Sequence, residues 1–210
     1  CPISRMLSLE NTWHGKVQNL SAITVAAKCG REHGLVVHLD GARMMNAVVR
    51  LGIAPSELVA DVDTVSLCLS KGLGAPVGTI LAGPKSFIKR AHRIRKLVGG
   101  GMRQAGVLAA AGLYALDHHI DRLGSDHENA LRLAEQLAAI PSVRTNPELV
   151  ETNMVFVDFA EGSGVRLRDY LAAKGMLVVA ESDHVRLVTH LDCGVSEIDQ
   201  FVAEVRNFFS

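Results

Sequence analysis

Leu67-Cys68-Leu69-Ser70-Lys71-Gly72-Leu73-Gly74-Ala75-Pro76-Val77-Gly78 is an apolar run that ends on a lysine and then turns through closely spaced glycines. Thirty-one residues before that lysine, a second apolar run, Leu35-Val36-Val37-His38-Leu39-Asp40, ends in Asp40-Gly41-Ala42-Arg43. Short apolar runs bounded by glycine read as buried strands, so the amine, the carboxylate and the guanidinium all fall where strands stop. In sheets of parallel strands, ligands bind at those carboxyl ends. Gly72 and Gly74 let backbone come close to a ligand without side-chain obstruction. Gly72-Leu73-Gly74 looks like the opening of a dinucleotide loop, but Pro76 and the next strand stand where the helix should begin, and there is no Walker A pattern.

Outward from these two stretches the first half alternates strand and helix signals. Strands are expected at Met6–Leu9, Leu35–Leu39, Thr64–Leu69 and Gly78–Ala82, with helices at Leu20–His33 (stopped by Gly34) and Ala42–Leu51, and a helical turn at Pro55–Leu58. Near-continuous apolar strands separated by helices indicate an α/β fold, with a mostly parallel sheet covered by helices on both faces. Pro84 opens a helix to about Val98, Gly99-Gly100-Gly101 breaks it, and an apolar helix from Arg103 to about Leu123 reads as buried on all sides. Ser125-Asp126-His127-Glu128 has the form of a capping box starting a helix that ends before Pro141. Beyond it the pattern changes to short strands (Met154–Phe159, Leu177–Ala180, Val185–Val188) and helices (Val165–Lys174, Ser196–Phe209). The expected division is therefore residues 1–123, part of a large domain, and residues 124–210, a small α+β domain.

Bulk properties narrow the function classes. Of the 210 residues 48% are hydrophobic and 21% charged, which fits a globular chain and not a disordered one. Twenty-two basic residues balance 22 acidic ones, so charge gives no argument for nucleic acid or for a membrane surface. The longest apolar run, Ala105–Leu116, is well short of the ~20 residues of a membrane helix. Four cysteines, Cys1, Cys29, Cys68 and Cys193, have no paired spacing, so neither a disulfide framework nor a zinc site is expected, and a cytoplasmic location is. The chain opens on Cys1 without an initiator methionine or a signal-peptide pattern, and a piece of a longer protein is the expectation.

Each charged group has a plain structural role beside a chemical one. Lys71 alone reads as a surface lysine closing a strand; with a depressed pKa its amine forms a Schiff base with an aldehyde. Asp40 is an ordinary helix N-cap, or the partner of a protonated pyridine nitrogen that keeps the ring of pyridoxal phosphate (PLP) electron-withdrawing. Arg43 is a surface cation or holds the phenolate oxygen of that ring or a substrate carboxylate. In Val185-Arg186-Leu187-Val188-Thr189-His190 an arginine among alternating apolar residues needs a partner if buried: a local acid, or the carboxylate of an amino acid gripped by its planar fork. The basic helix around Lys85–Lys96 reads as a solvated face, although Lys96 and Arg103 flank the triple glycine and could reach a phosphate. His118, His119, Asp121, Asp126 and His127 lack a metal-ligand spacing, and no metal is expected.

Together the segments resemble the low-specificity L-threonine aldolases, PLP-dependent enzymes of the aspartate-aminotransferase-like fold type I. The resemblance rests on Leu7-Ser8-Leu9-Glu10-Asn11-Thr12, His38 to Arg43, Leu69 to Gly78, Gly99-Gly100-Gly101-Met102-Arg103-Gln104, Thr152-Asn153-Met154 and Arg186 to Asp192, in that order along the chain. It implies that Lys71 forms the Schiff base with PLP and that Asp40 pairs with the pyridine nitrogen. It further implies Arg43 near the phenolate oxygen, Arg186 on the substrate carboxylate, and Lys96 and Arg103 near the cofactor phosphate, reaching a neighbouring subunit's site. Trp13-His14 stands where the family usually has His-Asn. Family members are longer at the amino end, and that segment carries the ring-stacking histidine, the phosphate loop and a second active-site histidine.

The activity implied is retro-aldol cleavage of L-threonine, L-allo-threonine and related β-hydroxy-α-amino acids to glycine and an aldehyde, in a cytoplasmic homo-oligomer, dimer or tetramer. A base supplied by the absent segment would take the β-hydroxyl proton, and the chain alone is expected to be inactive and poorly stable. Two rivals stand beside this reading: another fold type I enzyme, a racemase or a transaminase, and a truncated inactive remnant.

Overall fold

The computed structural model describes residues 3–210; Cys1 lies outside the described residues. The chain divides into two units, the first ending at Arg122 and the second spanning Leu123–Ser210.

The first unit is built on a four-stranded sheet in the order β1 (Met6–Glu10), β2 (Val36–Asp40), β3 (Thr64–Cys68), β4 (Thr79–Ala82). β1, β2 and β3 are parallel, in a register that sets Glu10 beside Asp40 and Asp40 beside Ser66. β4 runs antiparallel to β3. Only residues 69–78 join those two strands, too few for a parallel crossover, which takes about a dozen or more. Helices α1 (Leu20–Glu32) and α2 (Met44–Leu51) make the crossovers, with the short α3 (Pro55–Leu58) before β3. Asn19 caps α1 by accepting the Ser21 amide, and α1 ends into Gly34 at φ +70°, a conformation that favours glycine. Val37 and Leu39 point into the core with Ile23, Ala27, Ala47, Val48 and Leu58.

Two expectations change in the helices that follow. α4 (Lys85–Leu97) buries none of its residues, in keeping with a solvated basic face. The apolar helix is shorter than expected, α5 (Gly106–His118), and is not buried all round: only Gly112 and Ala115 are. Val107, Leu113 and Tyr114 are 73%, 62% and 59% exposed. Uniform apolarity gives no stripe to aim at one core, and α5 packs through its small residues. A Cβ on Gly112 would stand 2.9 Å from Leu69 Cδ1.

The second unit is a three-stranded antiparallel sheet, β5 (Val143–Arg144), β6 (Met154–Phe159), β7 (His184–Val188), covered by α6 (Leu123–Ala138), α7 (Gly164–Ala173) and α8 (Val195–Phe209). Val155, Val157, Leu137, Leu171, Val202 and Val205 form its centre. α6 starts at the buried Leu123, two residues before the expected cap, so Ser125 lies inside the first turn. The expected strand at 177–180 is absent. Those residues take no regular structure, with Ala180 buried and Leu177 and Val179 almost bare, and they join no ladder.

Candidate active site

The carboxyl ends of β1, β2 and β3 place three polar groups along one edge of the first unit's sheet. β2 stops at Asp40, whose Oδ1 accepts the Ala42 amide at 3.0 Å and so turns the chain into α2. The turn is tight: Gly41 donates its amide to Ser66 O at 2.9 Å, and a Cβ there would meet that same oxygen at 2.8 Å. Glycine is needed at 41 for space, since any side chain would push β2 off β3 just where Asp40 is held. Arg43 follows at the N-cap position of α2, half-buried, with Asp40 three residues before it on the same turn. β1 ends in the buried pair Asn11 and Thr12. The Asn11 Oδ1 accepts the Gln18 amide at 3.1 Å and anchors the loop carrying Trp13 and His14. Among the described residues Thr12 Oγ1 is buried with no hydrogen-bond partner.

Lys71 sits three residues past β3, on a loop closed upon itself. Leu69 donates its amide to Gly78 O at 2.9 Å, Gly74 donates to Lys71 O at 2.8 Å, and Ala75 donates to Leu69 O at 3.0 Å. Gly74, at φ +72°, makes the reversal. Leu69, Leu73 and Ala75 are buried and pin the loop, while the Lys71 side chain is exposed. From the far end of α5, His119 Nδ1 lies 2.6 Å from Leu73 O, and Arg122 Nη1 lies 3.5 Å from Gly72 O. Cys68, at the end of β3, shares this corner. Burial pushes its thiol up, but hydrogen bonding to Ser70 and Thr79, together with the Lys71 charge, brings it below the ordinary thiol value.

The other expected site residues lie elsewhere. Lys96, in the last turn of α4, is exposed, with Nζ 3.5 Å from Gly101 O; Arg103 is exposed in the loop before α5. No hydrogen bond or ion pair among the described residues joins either to Asp40, Arg43 or Lys71. Arg186 belongs to the second unit, in β7 opposite Phe156. It is exposed, because alternation turns Val185 and Leu187 inward and the arginine outward. The argument from a buried unpaired cation therefore does not apply. Arg186 instead lines a cavity of about 650 Å³ within its unit, with Thr189, His190, Glu197, Ile198 and Phe201. Among the described residues no group of His, Cys, Asp and Glu is arranged to hold a metal ion. His118 packs against the Tyr114 ring, and His119 is taken by Leu73.

The sequence of the beta-eliminating lyases matches residues 2–160 as a family. The chain belongs to that family. The low specificity L-threonine aldolase of Escherichia coli O157:H7 is 46% identical over 209 residues, 99% of this chain and 61% of that protein. The low-specificity L-threonine aldolase 1 of Arabidopsis thaliana is 41% identical over 204 residues, 94% of this chain and 57% of that protein. The crystal structure of a putative aromatic amino acid beta-eliminating lyase/threonine aldolase from Exiguobacterium superposes with a TM-score of 0.79 at 26% identity, over 96% of this chain and 61% of that one. The resemblance read from the motifs is thus borne out across nearly the whole chain, and so is the α/β, fold type I architecture. The chain spans about three-fifths of the length of these family relatives.

The residues present fit PLP. An aldehyde needs an amine, which Lys71 offers from a fixed loop, and a pyridine nitrogen needs a carboxylate, which Asp40 offers from the adjacent strand end. The Thr12 hydroxyl, buried and unsatisfied at the next strand end, has a hydrogen bond to spare. Two residues beside these groups escaped the sequence. Thr12 entered only through the resemblance. His119 was weighed as a metal ligand, and nothing local signals its contact with a residue 46 positions away.

Proposed function

We propose that the protein carrying this chain cleaves β-hydroxy-α-amino acids, L-threonine and L-allo-threonine among them, to glycine and an aldehyde, with PLP as cofactor. The observation that carries this is 46% identity to a threonine aldolase over 99% of the chain, with Lys71 and Asp40 at neighbouring strand ends. PLP, when bound, supplies the electron sink for the pair left behind as the Cα–Cβ bond breaks. Lys71 would hold the cofactor through its side-chain amine, which the loop after β3 presents. Asp40, fixed by Gly41 and the Ala42 amide, holds the proton on the pyridine nitrogen and so keeps the sink effective. Arg43 offers a charge-assisted hydrogen bond to the phenolate oxygen. Arg186 would hold the substrate carboxylate through its planar guanidinium. Lys96 and Arg103 serve the cofactor phosphate, reaching the site of a neighbouring subunit.

Residues 1–123 act as part of the large cofactor-binding domain and residues 124–210 as the small one. The exposed apolar side chains of α5 support a homo-oligomer, dimer or tetramer. Among the described residues no helix is long and apolar enough to cross a membrane, which is compatible with a cytoplasmic enzyme. The deciding experiment is product analysis: the full-length protein with PLP and L-threonine should release glycine and acetaldehyde in equal amounts. A keto acid in their place would instead identify a transaminase.

A further inference from the structure

We propose that His119 is a positioning residue for Lys71, holding the turn that carries the lysine through the carbonyl of Leu73. This rests on the role proposed for Lys71. The carbonyl oxygen can only accept, so the 2.6 Å contact requires a hydrogen on His119 Nδ1. The tautomer of the neutral ring is thereby fixed, with its hydrogen on Nδ1.

The contact matters because of what else secures the loop. Within residues 69–78 the bonds Leu69 to Gly78, Gly74 to Lys71 and Ala75 to Leu69 close the loop on itself, but none crosses to another element. Burial of Leu69, Leu73 and Ala75 seats the loop, but apolar packing is non-directional and leaves the orientation of its backbone to hydrogen bonds. The bond from His119 ties it to α5, whose own last turn is held by the His119 amide on Ala115 O at 2.9 Å. Leu73 lies two residues from Lys71, on the same side of the Gly74 reversal, so fixing its carbonyl fixes the lysine backbone. The Tyr114 ring stands edge-on to His119, with centroids 5.4 Å apart at 85°, and limits rotation of the imidazole. Arg122 adds a longer contact to Gly72 O at 3.5 Å.

The test uses full-length holoenzyme. ¹⁵N spectra of the His119 ring should show Nδ1 protonated; a ring protonated only at Nε2 would overturn the proposal. In His119→Leu the exchange of the Gly74 amide should quicken by about five-fold, the value of one ordinary hydrogen bond. The rate at which added PLP becomes fixed to Lys71 by borohydride should fall by roughly ten-fold. His119→Asn, whose amide nitrogen can take the place of Nδ1, should keep both within about two-fold of the parent. An Asn variant as impaired as the Leu variant, or a Leu variant like the parent, overturns the proposal; if the Leu variant fails to fold, the tautomer and the Asn variant decide. In Lys71→Ala, loss of the borohydride-fixed link supports the role of Lys71. Survival of the link overturns that role, while tautomer and Gly74 exchange still report on the clamp itself.

Discussion

At Lys71 a single amine carries the proposed chemistry, and its replacement gives the sharpest outcome. Lys71→Ala in the full-length protein should abolish the visible absorption of bound cofactor and lower turnover by several orders of magnitude, with a melting temperature close to the parent's because the side chain is exposed. Spectrophotometry and thermal denaturation on one preparation check both halves. Arg186 is expected to behave differently. It sits on the outward face of β7, so Arg186→Ala leaves the core intact and cofactor bound, while KM for the amino acid rises by about 10- to 100-fold, the value of a lost charge-assisted pair. Steady-state kinetics beside a PLP titration separates the two effects. Lys71 and Asp40 were legible in the sequence because each closes an apolar run, and strand ends are where a sheet presents ligand-binding groups. The exposure of Arg186 was legible too, in the alternation of Val185 and Leu187, yet its neighbours' apolarity suggested burial. Alternation orients a side chain; apolar neighbours alone do not.

Secondary-structure elements were read well where a local signal exists and poorly where a distant partner decides. Gly34 and Pro84 mark helix ends that the structure keeps. Residues 177–180 have strand composition but find no ladder, and α5 ends at His118, where the next residue turns its ring to Leu73. α7 illustrates a long-range cap. It has no side-chain cap of its own; instead Asp183, nineteen residues on, accepts the Gly164 amide at Oδ1 and the Gly162 amide at Oδ2, both at 2.8 Å. Those bonds, from Gly164 first and then Gly162, hold the Asp183 carboxyl below its usual range. A carboxylate with a depressed folded-state pKa contributes stability above its unfolded pKa of about 3.9, and that stability is lost as pH falls through the lower folded value. Asp183→Asn should therefore lower the melting temperature at pH 7, and the gap from the parent should close on acidification below about pH 4. Melting curves across pH 2.5–7, a range of about that width around the unfolded value, give the comparison.

The whole molecule keeps much apolar surface in view, and α5 shows where its partner would lie. Leu113→Glu places a charge on a side chain that is 62% exposed, so the folded protomer should tolerate it, whereas an oligomer that buries this face should dissociate. Sedimentation velocity of the full-length parent and variant reads the difference directly, with parent and variant melting alike once both are monomeric. Composition did not foretell the exposure, since an apolar helix looks the same whether it is covered by its own chain or by a copy. The antiparallel β4 has a further consequence. It is the last strand of its sheet, all four of its residues are exposed, and Ile80 and Leu81 lie among them. Among the described residues its outer row of amides and carbonyls pairs with no strand, which leaves room for a further strand of the same sheet. A proline in β4 would remove one of the amides with which such a strand would pair.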